Sequence, residues 1–228
     1  MNRMYAKVIG MTAAMAALAT ALILLVILLC DSAEAETLMY ECHEADRGAT
    51  PVIIYIEGSG WEPERTIIRS ELYDRMNMIL VRSLSGQYNF SSAWRAEDRA
   101  AIADQILGIM RDRFPEAKAV VNITYSMGGC MAEALYEQCE AQGIETACAV
   151  MMDSVYRKYP PEGMQRAGVP IMYAISETNR PTHITGWTRE WLRQTGKTGK
   201  EYGLNHGQLP ADREVQKDVY QFIIQAEG

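Results

Sequence analysis

Histidine and positive charge are both scarce in this sequence. His43, His183 and His206 are the only histidines among 228 residues, so a reaction that needs an imidazole base has few places to find one. Lys and Arg number 22 against 29 Asp and Glu, a formal net charge of -7. A phosphate-backbone surface needs clustered Lys and Arg, so no nucleic-acid partner is expected. The cysteines form no Cys-x-x-Cys pair and no zinc-ribbon spacing, which excludes a thioredoxin-like redox motif; no metal site or organic cofactor is expected. Internal repeats and low-complexity linkers are lacking too, and 48% hydrophobic with 22% charged residues is not the composition of a disordered or collagen-like chain.

What the sequence does contain is one long uncharged run. Residues 8–30 carry no charge and only Gly10, Thr12 and Thr20 among less hydrophobic side chains. Arg3 and Lys7 precede the run and Ala33-Glu34-Ala35 follows it, so residues 1–35 read as a secretory signal. The run is also long enough to span a bilayer at about 1.5 Å per residue, which makes an uncleaved membrane tether through residues 8–30 the alternative. Cys30 does not make this a lipoprotein signal, because Leu29 is bulky where a small residue is wanted. The expectation is an exported protein, periplasmic or extracellular, with residues 36–228 forming a single domain. Cys42, Cys130, Cys139 and Cys148 then lie where disulfides can persist, with Cys139–Cys148 the local pairing and free buried thiols the alternative.

Along residues 36–228 the apolar pattern predicts strands at 51–56, 76–84, 119–124, 147–152 and 170–175, and a short one near Tyr202. Helices are predicted within 64–75, over 96–114 where Ile102, Ile106, Leu107 and Met110 share a face, from Met127 to a cap at Gly143, around 187–194, and at the C-terminus through Val215, Val219, Phe222 and Ile223. Strands alternating with helices imply an α/β fold, a mostly parallel sheet covered by helices on both faces.

In such a sheet the working groups lie on turns beyond the carboxyl ends of strands. Thr124-Tyr125-Ser126-Met127-Gly128-Gly129 joins a buried strand directly to a helix, which lifts the Ser126 hydroxyl clear of the backbone beside free helix N-terminal N–H groups. A serine needs a base to take its proton. His206, in Asn205-His206-Gly207 between the last strand and the last helix, is placed to fold over it, whereas His43 precedes the core strands and His183 sits in a polar stretch. The base in turn needs a carboxylate. Asp153, in Met151-Met152-Asp153-Ser154, is one candidate; Glu177, one strand later and close to Asn179, is the other.

Tyr-Ser-Met-Gly-Gly resembles the nucleophile elbow of the α/β-hydrolase superfamily, in the form common among its esterases and thioesterases. Thr124 stands where that pattern has glycine. The Asp153 segment resembles that of thioesterase domains from nonribosomal peptide and polyketide synthesis, which favours Asp153 over Glu177. The resemblance implies an α/β-hydrolase fold and a triad of Ser126, Asp153 and His206, in that chain order. It also implies an oxyanion site formed by the backbone of Met127 and by the turn at Gly58 and Ser59, where Glu57-Gly58 replaces the usual His-Gly. Only 154–169 separates the Asp153 strand from the next, so no cap domain is expected and the site should be open.

The function implied is hydrolysis of a carboxylic ester or thioester, with a small acyl substrate and an acyl-enzyme on Ser126. Acyl carrier proteins work in the cytoplasm, so export makes an envelope carboxylesterase the more natural form. The alternative is a catalytically inactive hydrolase-fold binding or interaction protein, motivated by Thr124, Asn179 and the missing His-Gly. Gly196-Lys197-Thr198 is not a phosphate loop, since Trp191 stands where its first glycine belongs. Asn89-Phe90-Ser91 matches a glycosylation acceptor, and Tyr88, Phe90 and Trp94 are candidates to line a substrate pocket.

Overall fold

Val-Ile-Ile-Tyr-Ile at 52–56 is buried at every position. A strand with no polar face belongs inside a sheet that is covered on both sides. The computed structural model describes residues 39–45, 51–58, 71–82, 96–177 and 183–227, all within one compact unit, Leu38–Gly228. Among them are β1 (Met39–His43), β2 (Val52–Ile56), β3 (Met78–Arg82), β4 (Ala119–Tyr125), β5 (Glu145–Met152), β6 (Ile171–Ser176) and β7 (Lys200–Tyr202). They form one sheet in the order β1-β3-β2-β4-β5-β6-β7. Every pairing is parallel except β1 with β3.

Six α-helices accompany the described strands: α1 (Glu71–Arg75), α2 (Ala96–Arg113), α3 (Ala132–Ala141), α4 (Glu162–Arg166), α5 (His183–Thr195) and α6 (Arg213–Glu227). The period-2 alternation of the strands divides the core. Ile53, Tyr55, Val121, Ile123, Cys148 and Val150 face Leu72 of α1 and Val215, Val219 and Ile223 of α6. Val52, Ile54, Ile56 and Val120 face Ile102, Ile106, Leu107 and Met110 of α2 and Leu135 of α3. That second layer continues where Ala149, Met151, Tyr173 and Ile175 meet Met164 of α4 and Leu192 of α5. Each fully buried aliphatic side chain contributes about 1.5–3 kcal/mol, which is what holds both helical layers to the sheet.

The predicted α/β architecture is the observed one, with three differences. The edge strand β1 was not expected. The helix read from Met127 begins as a 3-10 turn, Ser126–Met131, before α3 proper. A five-residue helix, α4, lies between β5 and β6, and no cap is inserted there. The Gly143 cap is present: φ is 68° and the amide of Ile144 reaches back to the carbonyl of Cys139. Cys139 and Cys148 lie in layers on opposite faces of the sheet, which rules out the local disulfide; they and Cys42 and Cys130 are free thiols.

Outside the described residues lie the segment 1–35 with its apolar run and Cys30, Ser59, Tyr88, Asn89, Phe90, Trp94 and Asn179, and the 64–70 part of the first predicted helix. Among the described residues no helix is long and apolar enough to cross a membrane, and no group of three or more His, Cys, Asp or Glu is placed to hold a metal ion.

Candidate active site

The register fixes where the site must be. Ile56 pairs with Thr124, Tyr125 with Met152, and Met152 with Ala174, so the carboxyl ends of β2, β4, β5 and β6 share one rim. From β2 the chain passes to β3 on one side, and from β4 it passes to β5 on the other. The sheet therefore reverses its winding between β2 and β4, and a crevice opens above that point. Gly58 and Ser126 stand directly over it.

Ser126 follows β4 and holds φ at 53°, the left-handed region, at a cost of about 1–2 kcal/mol for a residue with a Cβ. The turn is sustained by very close packing. A Cβ on Gly58 would stand 2.4 Å from that of Ser126, and one on Gly128 would stand 2.3 Å from the carbonyl oxygen of Ile56. A Cβ on Gly129 would stand 1.2 Å from the carbonyl oxygen of Ser154. Only glycine fits at these three places. Met127 is in the first turn of the 3-10 segment, where backbone N–H groups have no partner within the helix.

Three of the sequence-predicted residues come together here. Ser126 Oγ lies 2.9 Å from His206 Nε2, and His206 Nδ1 lies 2.9 Å from Asp153 Oδ2. A carboxylate can only accept, so Nδ1–H donates to Asp153, and Nε2 is left as the acceptor for the Ser126 hydroxyl. Asp153 is fully buried and Ser126 nearly so, while the His206 side chain is 19% exposed. The site thus has its proton acceptor at the surface and its negative charge in the interior.

Asp153, like Ser126, is the first residue after its strand and has positive φ, 46°. Its amide donates to the carbonyl of Ala174. Its Oδ1 accepts the Ser176 amide at 3.0 Å and its Oδ2 accepts the Ser176 hydroxyl at 2.5 Å. Glu177, the rival acid, has an exposed side chain, and its amide bonds the carbonyl of Tyr202; the carboxylate on His206 is that of Asp153. Thr124, the departure from the elbow pattern, is fully buried, with its hydroxyl 2.8 Å from that of Ser154 and 3.2 Å from the sulfur of Met151. A β-branched residue is accommodated because the Asp153 turn supplies it with a partner.

His43 takes no part in this hydrogen-bonded chain. His43 ends β1 opposite Met78, the first residue of β3, and so lies at the end of the sheet away from the crevice. His183 opens α5. Cys130, four residues past Ser126, is buried within the sheet's helical layer, and burial pushes its thiol up to about 12, which disqualifies it as a nucleophile. Two participants were not anticipated from the sequence. Ser176 is one. The other is Tyr125, whose hydroxyl donates to the carbonyl of His206 at 2.8 Å while its ring stacks on the imidazole at 5.0 Å. An open depression of about 460 Å³ borders the His206 turn, lined by Leu204, Asn205, Gly207, Gln208, Ala211 and Asp212.

No protein-family model and no curated protein matches the chain. Solved structures do resemble it. A type II thioesterase from the yersiniabactin biosynthetic pathway aligns over 83% of this chain and 100% of its own, with a TM-score of 0.53 and 11% identity. A thermophilic esterase from Thermogutta terrifontis aligns over 84% and 94%, with a TM-score of 0.55 and 13% identity. A third, AqDC, described in recognition and ring cleavage of the Pseudomonas quinolone signal, aligns over 84% and 96%, with a TM-score of 0.54 and 10% identity. The chain has the α/β-hydrolase fold, in a minimal form with only the five-residue α4 between β5 and β6. At these identities the likeness concerns the fold, and the chemistry has to be argued from the site.

Proposed function

We propose that the protein is a serine hydrolase cleaving carboxylic esters or thioesters. The observation that carries this reading is the unbroken chain of hydrogen bonds from Ser126 through His206 to Asp153 at the mouth of the crevice. A hydroxyl is a weak nucleophile until a base takes its proton, and His206 Nε2 is at hydrogen-bond distance from it. Ser126 Oγ attacks the substrate carbonyl carbon while its proton passes to Nε2. The imidazolium that results is stabilised by buried Asp153, which also holds the ring in the tautomer that leaves Nε2 free to accept.

The Met127 N–H and the backbone at Gly58 and Ser59 are the proposed donors to the tetrahedral oxyanion. Collapse breaks the bond to the alkoxide or thiolate, which takes the proton from His206 and leaves an acyl-enzyme. Water then repeats the sequence, giving its proton to His206 and releasing the carboxylic acid as Ser126 regains its hydrogen. Residues 1–35 extend the proposal to an exported enzyme, tethered or released; mass spectrometry of the exported protein tests this by showing whether they are retained.

Ser126→Ala is expected to lower turnover of p-nitrophenyl acyl esters on the order of 10⁴-fold or more, without loss of the fold. A fluorophosphonate probe should label Ser126 in the wild-type protein. A folded sample that neither labels nor turns over would overturn the enzyme reading in favour of a binding protein built on the same fold.

A further inference from the structure

We propose that Ser176 is a positioning residue of this site, holding the Asp153 carboxylate in the plane from which it orients His206. The proposal rests on the serine hydrolase reading. Asp153 sits where no surface is exposed, so its oxygens depend on protein donors. Ser176 provides two of these, its amide on Oδ1 at 3.0 Å and its hydroxyl on Oδ2 at 2.5 Å, and His206 Nδ1 provides another on Oδ2 at 2.9 Å. The last torsion of an aspartate is broad, and the single donor from His206 on one oxygen would leave it soft. Two donors from one residue, one on each oxygen, fix the plane, and the hydroxyl acts on the same oxygen that receives His206.

Ser176 is itself fully buried and firmly held. It is the last residue of β6, opposite Tyr202 of β7, and its carbonyl accepts Arg189 of α5 at 3.1 Å. Arg189 is anchored in turn on Glu201 of β7 at 2.8 Å. The end of β6 therefore acts in this site through an orienting hydroxyl, while the acid comes from the end of β5.

The test compares Ser176→Ala and Ser176→Thr with the wild-type protein, each checked for folding by circular dichroism. Three readouts are taken: ester kinetics, fluorophosphonate labelling, and the low-field proton resonance of the His206 Nδ1–H. Loss of a charge-assisted hydrogen bond should lower kcat roughly ten- to a hundredfold with KM within about twofold, and Thr, which keeps the hydroxyl, should restore most of it. The Nδ1–H resonance should shift or broaden in S176A and return in S176T. A folded S176A with wild-type kcat, or an S176T as slow as S176A, would overturn the proposal. If wild-type protein neither labels nor turns over, the hydrolase reading fails and the resonance alone decides: unchanged in S176A, it refutes the role of Ser176. Should S176A not fold, Ser176→Cys replaces it under the same criteria.

Discussion

Thr124 shows how a single residue departs from a pattern without breaking it. The elbow resemblance has glycine at this place, yet the threonine hydroxyl is satisfied by Ser154 and its methyl is buried with it. Restoring the pattern with Thr124→Gly should therefore harm the protein. The change removes a buried hydrogen bond, leaves the Ser154 hydroxyl short of a partner and adds backbone freedom to the unfolded chain, for a loss of about 2 kcal/mol. Urea unfolding measures it, and an unchanged or higher stability would show that Thr124 is not held as described. At this scale the hydrogen-bonded residues were legible because their order along the chain and their strand-to-helix settings are local features. Tyr125 and Ser176 were not, because nothing near them in sequence shows that one reaches His206 and the other Asp153. Both are small contacts made across the assembled rim.

Among the elements, β7 and α6 bracket the turn that carries His206, and a polar cluster ties them together. Asp218 of α6 accepts Lys200 Nζ at 2.5 Å and the Tyr202 hydroxyl at 2.8 Å. Partial burial pushes its carboxyl up, but the bonds from Lys200 and Tyr202 and the Lys200 charge outweigh this and hold it below its ordinary value of 3.8. A depressed folded value means that this stabilisation is complete above 3.8 and is lost as the pH falls through the folded value. Asp218→Asn is thus expected to cost at most about 1 kcal/mol near neutrality, since the pair is partly screened by solvent, and progressively less below 3.8. Melting temperatures of both proteins across that range check it; a gap that widens in acid would contradict the assignment. The strands β2, β4, β5 and β6 were readable because burial on both faces demands apolar runs. Met-Tyr-Glu-Cys-His of β1 makes no such run, since an edge strand has one neighbour and Tyr40 is 41% exposed. Five residues after Pro160-Pro161 were likewise too few to betray α4.

For the whole molecule, the sheet also divides the cysteines. Cys130 and Cys139 lie in one helical layer and Cys148 in the other, and burial pushes each thiol up to about 12. The described core is therefore expected to owe nothing to disulfides. Melting should be unaffected by reductant, and alkylation followed by mass spectrometry should find these three thiols reactive only after unfolding. Labelling in the native protein would mean that the layers are looser than their packing implies. The alternation of strands with helices and the short stretch between β5 and β6 were both legible, since each depends on the spacing of apolar runs. The pressing together of two turns was not. Ser154 touches both: its carbonyl lies against Gly129 and its hydroxyl against Thr124. The Ser126 turn and the Asp153 turn, separate stretches of sequence, are consequently packed as one block. Substitutions at 124 and 154, which share a side-chain hydrogen bond, are expected to be non-additive in stability, whereas position 129, packed against the backbone of residue 154, should accept only glycine whatever stands at 154.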